Sequence, residues 1–424
     1  MIVEHASRTD TGRVRSRNED SFSAAPDIGL YIVADGMGGQ AGGDEASRYA
    51  CLTIEEYVRR RHEVLQDYES DPAPERRRAV FQLLEEAIRA ASERIIKEGE
   101  SHTELGGMAT TAVVLLLLGE HAFVANLGDS RAYLLRDGYA RLLTEDHSLF
   151  FELIRQGRLS RDATGFPYKN VVTRALGVRG TALADTFDFE VMAGDRFILC
   201  TDGLHGYMDD EEAYLLAANG KPDTAAERLV EFALDSGGAD NVTVVLADVK
   251  SIDGDDEEVR ERDRVMSVFP ILAGIDFGDR VRMISQFDHR MVEDGQTLFQ
   301  EGEEADGLYC VVSGSVEIRR ADKAVVTFGP GANLGEISLV EKRPRLATAL
   351  ARGAVDVLVL RRQVFGGMVR RSPRLASKLL YNLVRTLAHR LRGTNDELVI
   401  LKTHFNTEGV DLPKFLSSDE LEED

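Results

Sequence analysis

Cysteine is scarce in this chain: Cys51, Cys200 and Cys310 stand far apart among 424 residues and form no CxxC pair. That spacing excludes a disulfide framework or a cysteine-based zinc site, and a reducing compartment is the expectation. Long apolar runs are missing too. The longest, Ala112 to Leu118, falls far short of the roughly 20 residues a bilayer-spanning helix needs. The opening residues, Met1 to His5, lack the apolar region of a signal peptide, so a cytoplasmic protein without membrane contact is expected. Positive charge is outweighed, with 51 Lys and Arg against 73 Asp and Glu and a formal net charge of −22. Surfaces that bind nucleic acid gather Lys and Arg where the phosphates lie, so that class of partner is set aside.

What is present is enough chain for two or three domains. The run Gly29 to Ala34 reads as a short buried strand ending on Asp35-Gly36-Met37-Gly38-Gly39. A carboxylate delivered by a strand and followed by glycine can hold a hard divalent cation, the Gly36 carbonyl adding a further oxygen. Taken alone, the same pair is a plain turn. The device recurs. Arg196 to Cys200 leads to Thr201-Asp202-Gly203, Asn126-Leu127-Gly128 to Asp129, and Asp240-Asn241 into the strand Val242 to Val249. Unpaired clustered carboxylates repel one another and shift their pKa values upward; a shared cation resolves that. Two such ions can activate a water and hold a phosphoryl group for in-line attack.

Around these motifs, Ala41 to Arg61 and Glu75 to Glu98 carry helical apolar stripes. Thr111–Leu118, His121–Leu127, Arg131–Arg136 and Tyr139–Leu143 read as four strands of one meander. Helices are expected at Asp209 to Asn219 and Thr224 to Ser236, and an irregular flap over 157–177. The charged stretch from Gly12 to Phe22 is either a solvated loop or a phosphate-binding Arg15 beside water-organising acids.

Residues 1 to about 250 resemble the metal-dependent (PPM, type 2C) protein serine/threonine phosphatases. The matching pieces are Arg15 to Asp20, Val33 to Gly39, Gly107 to Thr111, Leu127 to Arg131, Asp146 to Ser148, Thr201 to Gly203 and Asp240-Asn241. The resemblance implies an α+β fold, a four-layer αββα sandwich with Mn²⁺ or Mg²⁺ at one end. It implies Asp35, Asp202 and Asp240 as direct ligands with the Gly36 carbonyl, Glu19 and Asp20 orienting waters, and Arg15 on the phosphate. Asp129 with Asp202 would hold a third, weaker metal. Three departures stand out: Met37 where many eukaryotic relatives carry a proposed general-acid His, Gly206 where many carry a further acid, and Ala109 and Phe166 in place of a Gly and a His.

Residues 251–264 are polar and form either a flexible linker or a charged helix. From 265 to 402 short glycine-punctuated strands suggest a β-roll or jelly roll with flanking helices. Within it, Gly335-Glu336-Ile337-Ser338 precedes Arg345-Leu346-Ala347. A helical turn after Gly335 would point free N–H groups at an anion, and Arg345 would neutralise it. This segment resembles the phosphate-binding cassette of cyclic-nucleotide-binding domains, which implies Glu336 on the ribose and Arg345 on the cyclic phosphate. Leu346, where cGMP-selective members often carry Thr, leans toward cAMP.

The stripe Leu375, Leu379, Leu383, Leu387 and Leu391 either packs on its own domain or forms a homodimer seam. Residues 403–424 read as an acidic, disordered tail. The expectation is a phosphatase acting on phospho-Ser/Thr proteins, such as those of a bacterial Ser/Thr kinase, and regulated by cyclic nucleotide. The alternative is a nucleotide receptor or scaffold whose phosphatase domain is silent.

Overall fold

The computed structural model describes residues 1–38, 42–160, 163, 166–169, 171–254, 256–321 and 323–408. Two antiparallel sheets form the N-terminal half. One runs in the order Ile2–Asp10, Val242–Ser251, Arg196–Cys200, Arg131–Arg136, Tyr139–Leu142. The other runs Asp20–Ala25, Leu30–Met37, Ala112–Leu118, His121–Leu127, Asp185–Glu190, with Ala109–Thr110 paired to the end of Leu30–Met37. Alternation along these strands serves both faces. Val33, Val113, Leu115 and Val124 meet Leu134, Phe197, Leu199 and Val245 between the sheets. Ile32, Val114 and Leu116 point the other way, onto the helices Gly43–Arg60 and Pro74–Ser101. Helices Asp210–Ala217 and Pro222–Asp235 cover the opposite sheet through Leu229, Ala226 and Ala213. This is the expected αββα sandwich. A fully buried Leu or Val contributes about 1.5–3 kcal/mol, so the three apolar layers dominate stability.

Two expectations are corrected, and one open choice narrows. The four strands from 112 to 142 are not one meander: His121–Leu127 lies in one sheet and Arg131–Arg136 in the other. The chain crosses at Gly128, whose φ of +114° suits glycine, and it lies so close to Thr111 that a β-carbon would sit 2.5 Å from that methyl group. The crossing places Asp129 at the sandwich end. Asp35 is not at a strand tip either, because the strand continues through Gly36 to Met37. Of the two readings of the charged stretch, the solvated loop fails at Asp20, which is buried at the start of strand Asp20–Ala25. A short helix, His62–Ser70, went unread beside the polar break that follows it.

Residues Asp256–Val268 form a helix, settling the choice between charged helix and loose linker. Helix Phe277–Ile284 comes next, and Val281 is buried in the core between the phosphatase-like sheets. Beyond it lies the β-roll, with Asp288–Val292, Thr348–Arg361, Gly307–Arg320 and Lys323–Phe328 in order and two short strands attached. Its interior is lined by Val311, Val316, Val355 and Val357. In the long helix Pro373–Glu408, Leu379 and Leu383 are buried on their own domain while Tyr381, Val384 and Leu391 are exposed. The helix runs on through Glu408, so residues 403–408, expected in the disordered tail, are helical; the rest of that tail, 409–424, lies outside the described residues, as do Gly39 and Gly165. Among the described residues no helix is long and apolar enough to cross a membrane.

Candidate metal centre and nucleotide pocket

Glycine builds the first site by letting backbones touch. A β-carbon on Gly36 would lie 2.0 Å from the Gly43 carbonyl oxygen and 2.4 Å from that of Glu19. Gly36 N–H donates to that Glu19 oxygen at 3.1 Å, tying Leu30–Met37 to the charged N-terminal stretch. Likewise, a β-carbon on Gly203 would lie 1.9 Å from the Asn241 carbonyl oxygen, which holds Asp202 beside Asp240. Asn241 closes the ring. Its Oδ1 accepts from Glu19 N–H at 2.8 Å, and its Nδ2 donates to the Thr11 and Arg17 carbonyls. Asp20, Asp35, Asp129, Asp202 and Asp240 thus converge from five parts of the chain.

Their electrostatics show how close they come. Burial, with Asp20, Asp202, Asp129 and Asp240 as like-charged neighbours, pushes the Asp35 carboxyl well above the usual range, although one edge stays partly accessible. Burial likewise lifts Asp20 to about 7, against the hydrogen bonds it accepts from Thr243 and Thr201. Asp129 rises to about 7 by burial and by the charges of Asp202 and Asp146. Asp202 is raised by burial and by Asp240, while a hydrogen bond with Asp35 holds it back. Glu19 is raised by burial and by Asp44; its carboxylate lies against Gly43 at the start of helix Gly43–Arg60. Arg15, half exposed at the rim, donates to Asp240 Oδ2 at 2.7 Å.

Among the described residues no three His, Cys, Asp or Glu side chains stand in ligating geometry. The five aspartates nevertheless share one end of the sandwich. Asp240 is turned to Arg15 and Asp35 to Asp202, and a carboxylate swings about its side-chain torsions far more readily than a strand relocates. The donors are all oxygen, which suits Mg²⁺ or Mn²⁺ over softer metals. The residues fit the ions. Thr201 and Thr243, which hold Asp20, went unread in the sequence; the Thr preceding Asp202-Gly203 was the available signal.

The second site gathers opposite charges. Gly335, at φ +73°, starts a 3-10 turn over Glu336–Leu339. The guanidinium of Arg345 packs so tightly there that a β-carbon on Gly335 would lie 2.1 Å from Nη1. Arg345 is buried. It donates to Asp306 Oδ1 and the Gly307 carbonyl at 2.9 Å each and lies 4.1 Å from the Phe299 ring centre. Ser338 Oγ donates to the Gly307 carbonyl at 2.6 Å. Glu336, also buried, lies 2.6 Å from Arg390 of the long helix, and Arg390 donates to the Asn333 carbonyl at 2.7 Å. Burial nonetheless raises the Glu336 carboxyl. Four buried polar atoms lack a well-aligned partner: Glu336 Oε1, Arg345 Nε, and Oδ1 and Nδ2 of Asn333. Such atoms suit a ligand rich in hydroxyl and phosphoryl oxygens. Ile337 (43% exposed) and Leu346 (68%) face solvent, and Ala347 is half-buried. Asp306, Phe299 and Arg390 lie outside the cassette motif, which is why sequence reading missed them; Asn333 lies just before Gly335 and was given no role.

Comparison with known proteins agrees with both halves. The family model described as "Protein phosphatase 2C" matches residues 11–232, and that described as "Cyclic nucleotide-binding domain" matches 289–372. A serine/threonine phosphatase of Listeria monocytogenes is 36% identical over 246 residues, covering 57% of this chain and 94% of that protein. The phosphatase PstP of Mycobacterium tuberculosis is 36% identical over 283 residues, 66% of this chain and 49% of that protein. A crystal structure of M. tuberculosis PstP superposes with a TM-score of 0.52 at 35% identity, covering 59% of this chain and all of that one. The PstP catalytic domain in complex with two manganese ions gives 0.50 at 33% identity, covering 59% and 99%. Carboxylates crowded at one end of an αββα sandwich, joined to a β-roll with a buried Glu and Arg, place this chain in the protein phosphatase 2C family of serine/threonine phosphatases, with a cyclic nucleotide-binding domain following the catalytic one.

Proposed function

We propose that this chain removes phosphate from Ser/Thr side chains of proteins phosphorylated by a Ser/Thr kinase, under control of a cyclic nucleotide. The observation that carries the reading is the convergence of five aspartates at one end of the sandwich, where burial first and neighbouring carboxylates second shift Asp20, Asp35, Asp129 and Asp202 upward. Asp35, Asp202 and Asp240, with the Gly36 carbonyl, would hold two divalent cations, and Asp129 with Asp202 a weaker third. Bound there, the cations supply an activated water and positive charge for phosphoryl transfer. Glu19 and Asp20 orient water by accepting its hydrogens. Arg15, reaching Asp240 from a half-exposed position, can turn its fork to two phosphoryl oxygens. Met37 has no proton to give, so the leaving oxygen takes its proton from water.

In the second half, Glu336 would accept from a ribose hydroxyl and Arg345 would meet the cyclic phosphate, each leaving its present partner. With Leu346 where a Thr would add a hydroxyl, the reading favours cAMP over cGMP. Control requires the nucleotide to prefer one arrangement of the two halves, since equal affinity for both would shift nothing. The exposed Tyr381, Val384 and Leu391 lie on one side of the long helix and suit a homodimer seam.

The experiment is hydrolysis of a phosphothreonine peptide with Mn²⁺, with and without EDTA, then with cAMP or cGMP on wild type and Arg345→Ala. Metal-dependent turnover that cAMP alters in wild type and not in the variant is expected. Turnover indifferent to EDTA would leave only the receptor reading, and rates indifferent to nucleotide would remove the control.

A further inference from the structure

Helix Phe277–Ile284 belongs by sequence to the nucleotide-binding half, where its Met283 and Ile284 pack, yet its other face lies on the catalytic one. Asp276 caps it, accepting from Asp279 N–H at 2.8 Å. Gly278 is pressed onto the strand end at Leu142, where a β-carbon would lie 2.1 Å from the carbonyl oxygen. Phe277 stacks edge-on against Phe189, with ring centres 6.0 Å apart. Arg282 reaches furthest. Its Nη1 donates to the Leu143 carbonyl, its Nη2 pairs with Asp279, and it stands 4.0 Å from Glu145.

Leu143 opens a strap, 143–148, that runs beside the sheet crossing carrying Asp129. Leu143 N–H donates to the Ala132 carbonyl at 2.8 Å, and Ala132 N–H to Thr144 Oγ1 at 3.2 Å. Asn126 Nδ2 donates to the Glu145 carbonyl at 3.1 Å. His147 exchanges bonds with Gly128: its N–H donates to the Gly128 carbonyl, and its Nδ1 accepts from Gly128 N–H. Asp146 grips Arg131 with both oxygens, at 2.9 and 2.8 Å. The strap therefore brackets Asp129 from residue 126 to residue 132. Leu143 is fully buried, and Arg282 satisfies its carbonyl.

We propose that Arg282, contributed by the nucleotide-binding half, is a positioning residue of the phosphatase site, seating the strap that backs Asp129. The inference rests on the phosphatase reading of that site. Each of Arg282's bonds runs to the strap or to its own helix, so the β-roll does not account for it. Removing the guanidinium strips a charged donor from a buried carbonyl, loosens the strap, and leaves Asp129 less well held.

The test uses the full chain as wild type, Arg282→Ala and Arg282→Lys, with Mn²⁺ and p-nitrophenyl phosphate. Amide exchange across 143–148 is followed together with kcat and KM. Arg282→Ala should speed strap exchange about tenfold and lower kcat with KM little changed, and Arg282→Lys should recover both. Exchange in the buried strand Ala112–Leu118 controls for folding. If that strand also loosens in the Ala variant, the Lys variant decides: kcat recovering in step with strap protection supports the proposal, and recovery of one alone overturns it. Unchanged strap exchange in Arg282→Ala overturns it too, as does faster exchange with unchanged kcat. Wild type without metal-dependent hydrolysis would remove the phosphatase reading, and strap exchange would still judge the seating.

Discussion

The two sites of this chain hold charge in opposite ways. At the sandwich end, carboxylates of one sign crowd together, and burial and their neighbours' charges raise their pKa values. In the roll, Glu336 meets Arg390 and Arg345 meets Asp306, so opposite signs neutralise within the protein. Arg15 meets only Asp240 at the rim, so the rest of the like-charged cluster is relieved by a proton or a cation from outside. A self-paired pocket must instead be pried open by a ligand that offers each group a better partner. The first arrangement favours tight, constitutive cofactors, and the second a reversible signal.

The comparison breaks most decisively at Asp35. Asp35→Asn removes a proposed ligand and should cost more activity than the about 10–100-fold typical of residues that merely orient ligands. EDTA on wild type should do the same. If the crowding is as described, Asp35→Asn should also raise the melting temperature in EDTA, because one repelling charge is gone. An activity loss without that gain would mean the carboxylates do not strain the metal-free fold. In the roll the matching change is Arg345→Ala. It removes a buried charged donor and should weaken cAMP binding by about tenfold or more in calorimetry. Hydrolysis in the absence of nucleotide should hold near wild type, and a comparable loss there would deny that the halves carry separate tasks.

Much of this was legible before any coordinates. Strands such as Ala112–Leu118 and His121–Leu127 showed in their apolar runs, and the acidic motifs marked one site because their order and spacing are rare. Other features turned on contacts distant in sequence. The sheet crossing at Gly128 looked like a meander turn, since nothing local tells a hairpin from a chain that changes sheets. The burial of Asp20 did not show, because the hydroxyls that hold it, Thr201 and Thr243, lie about 180 and 220 residues on. Arg390 was hidden for the same reason. Its place in a leucine-rich helix reads as a solvated face until the roll is folded against it.

Acid should separate the halves further. His121, half-buried beside the ion pair of Arg77 and Asp188, is pushed down to about 4, chiefly by desolvation. The unfolded chain, with an ordinary His near 6.5, binds this proton more readily than the native one. Stability is therefore intact above about 6.5 and declines as pH falls toward 4, by at most roughly 3 kcal/mol. Urea unfolding across that window, compared between wild type and His121→Asn, isolates the contribution. The variant's sandwich should lose less stability than wild type on acidification. Parallel curves would mean that His121 takes up its proton in the folded state as easily as in the unfolded one.

The smallest expected effect tests the self-paired pocket most directly. Glu336 is buried but Arg390 is partly exposed, and solvent screening at that end limits the pair to about two- to fivefold in an equilibrium. If Arg390 competes with a ribose hydroxyl for Glu336, Arg390→Ala should tighten cAMP binding by about that factor. High salt should tighten wild type toward the variant and move the variant less, because screening weakens the competing pair. A variant that binds cAMP more weakly would reverse the assignment, making Arg390 a contact of the bound nucleotide. The distinction matters for control. A competitor for Glu336 lets the long helix leave when nucleotide arrives, whereas a ligand contact draws it in, and the two would move that helix in opposite directions.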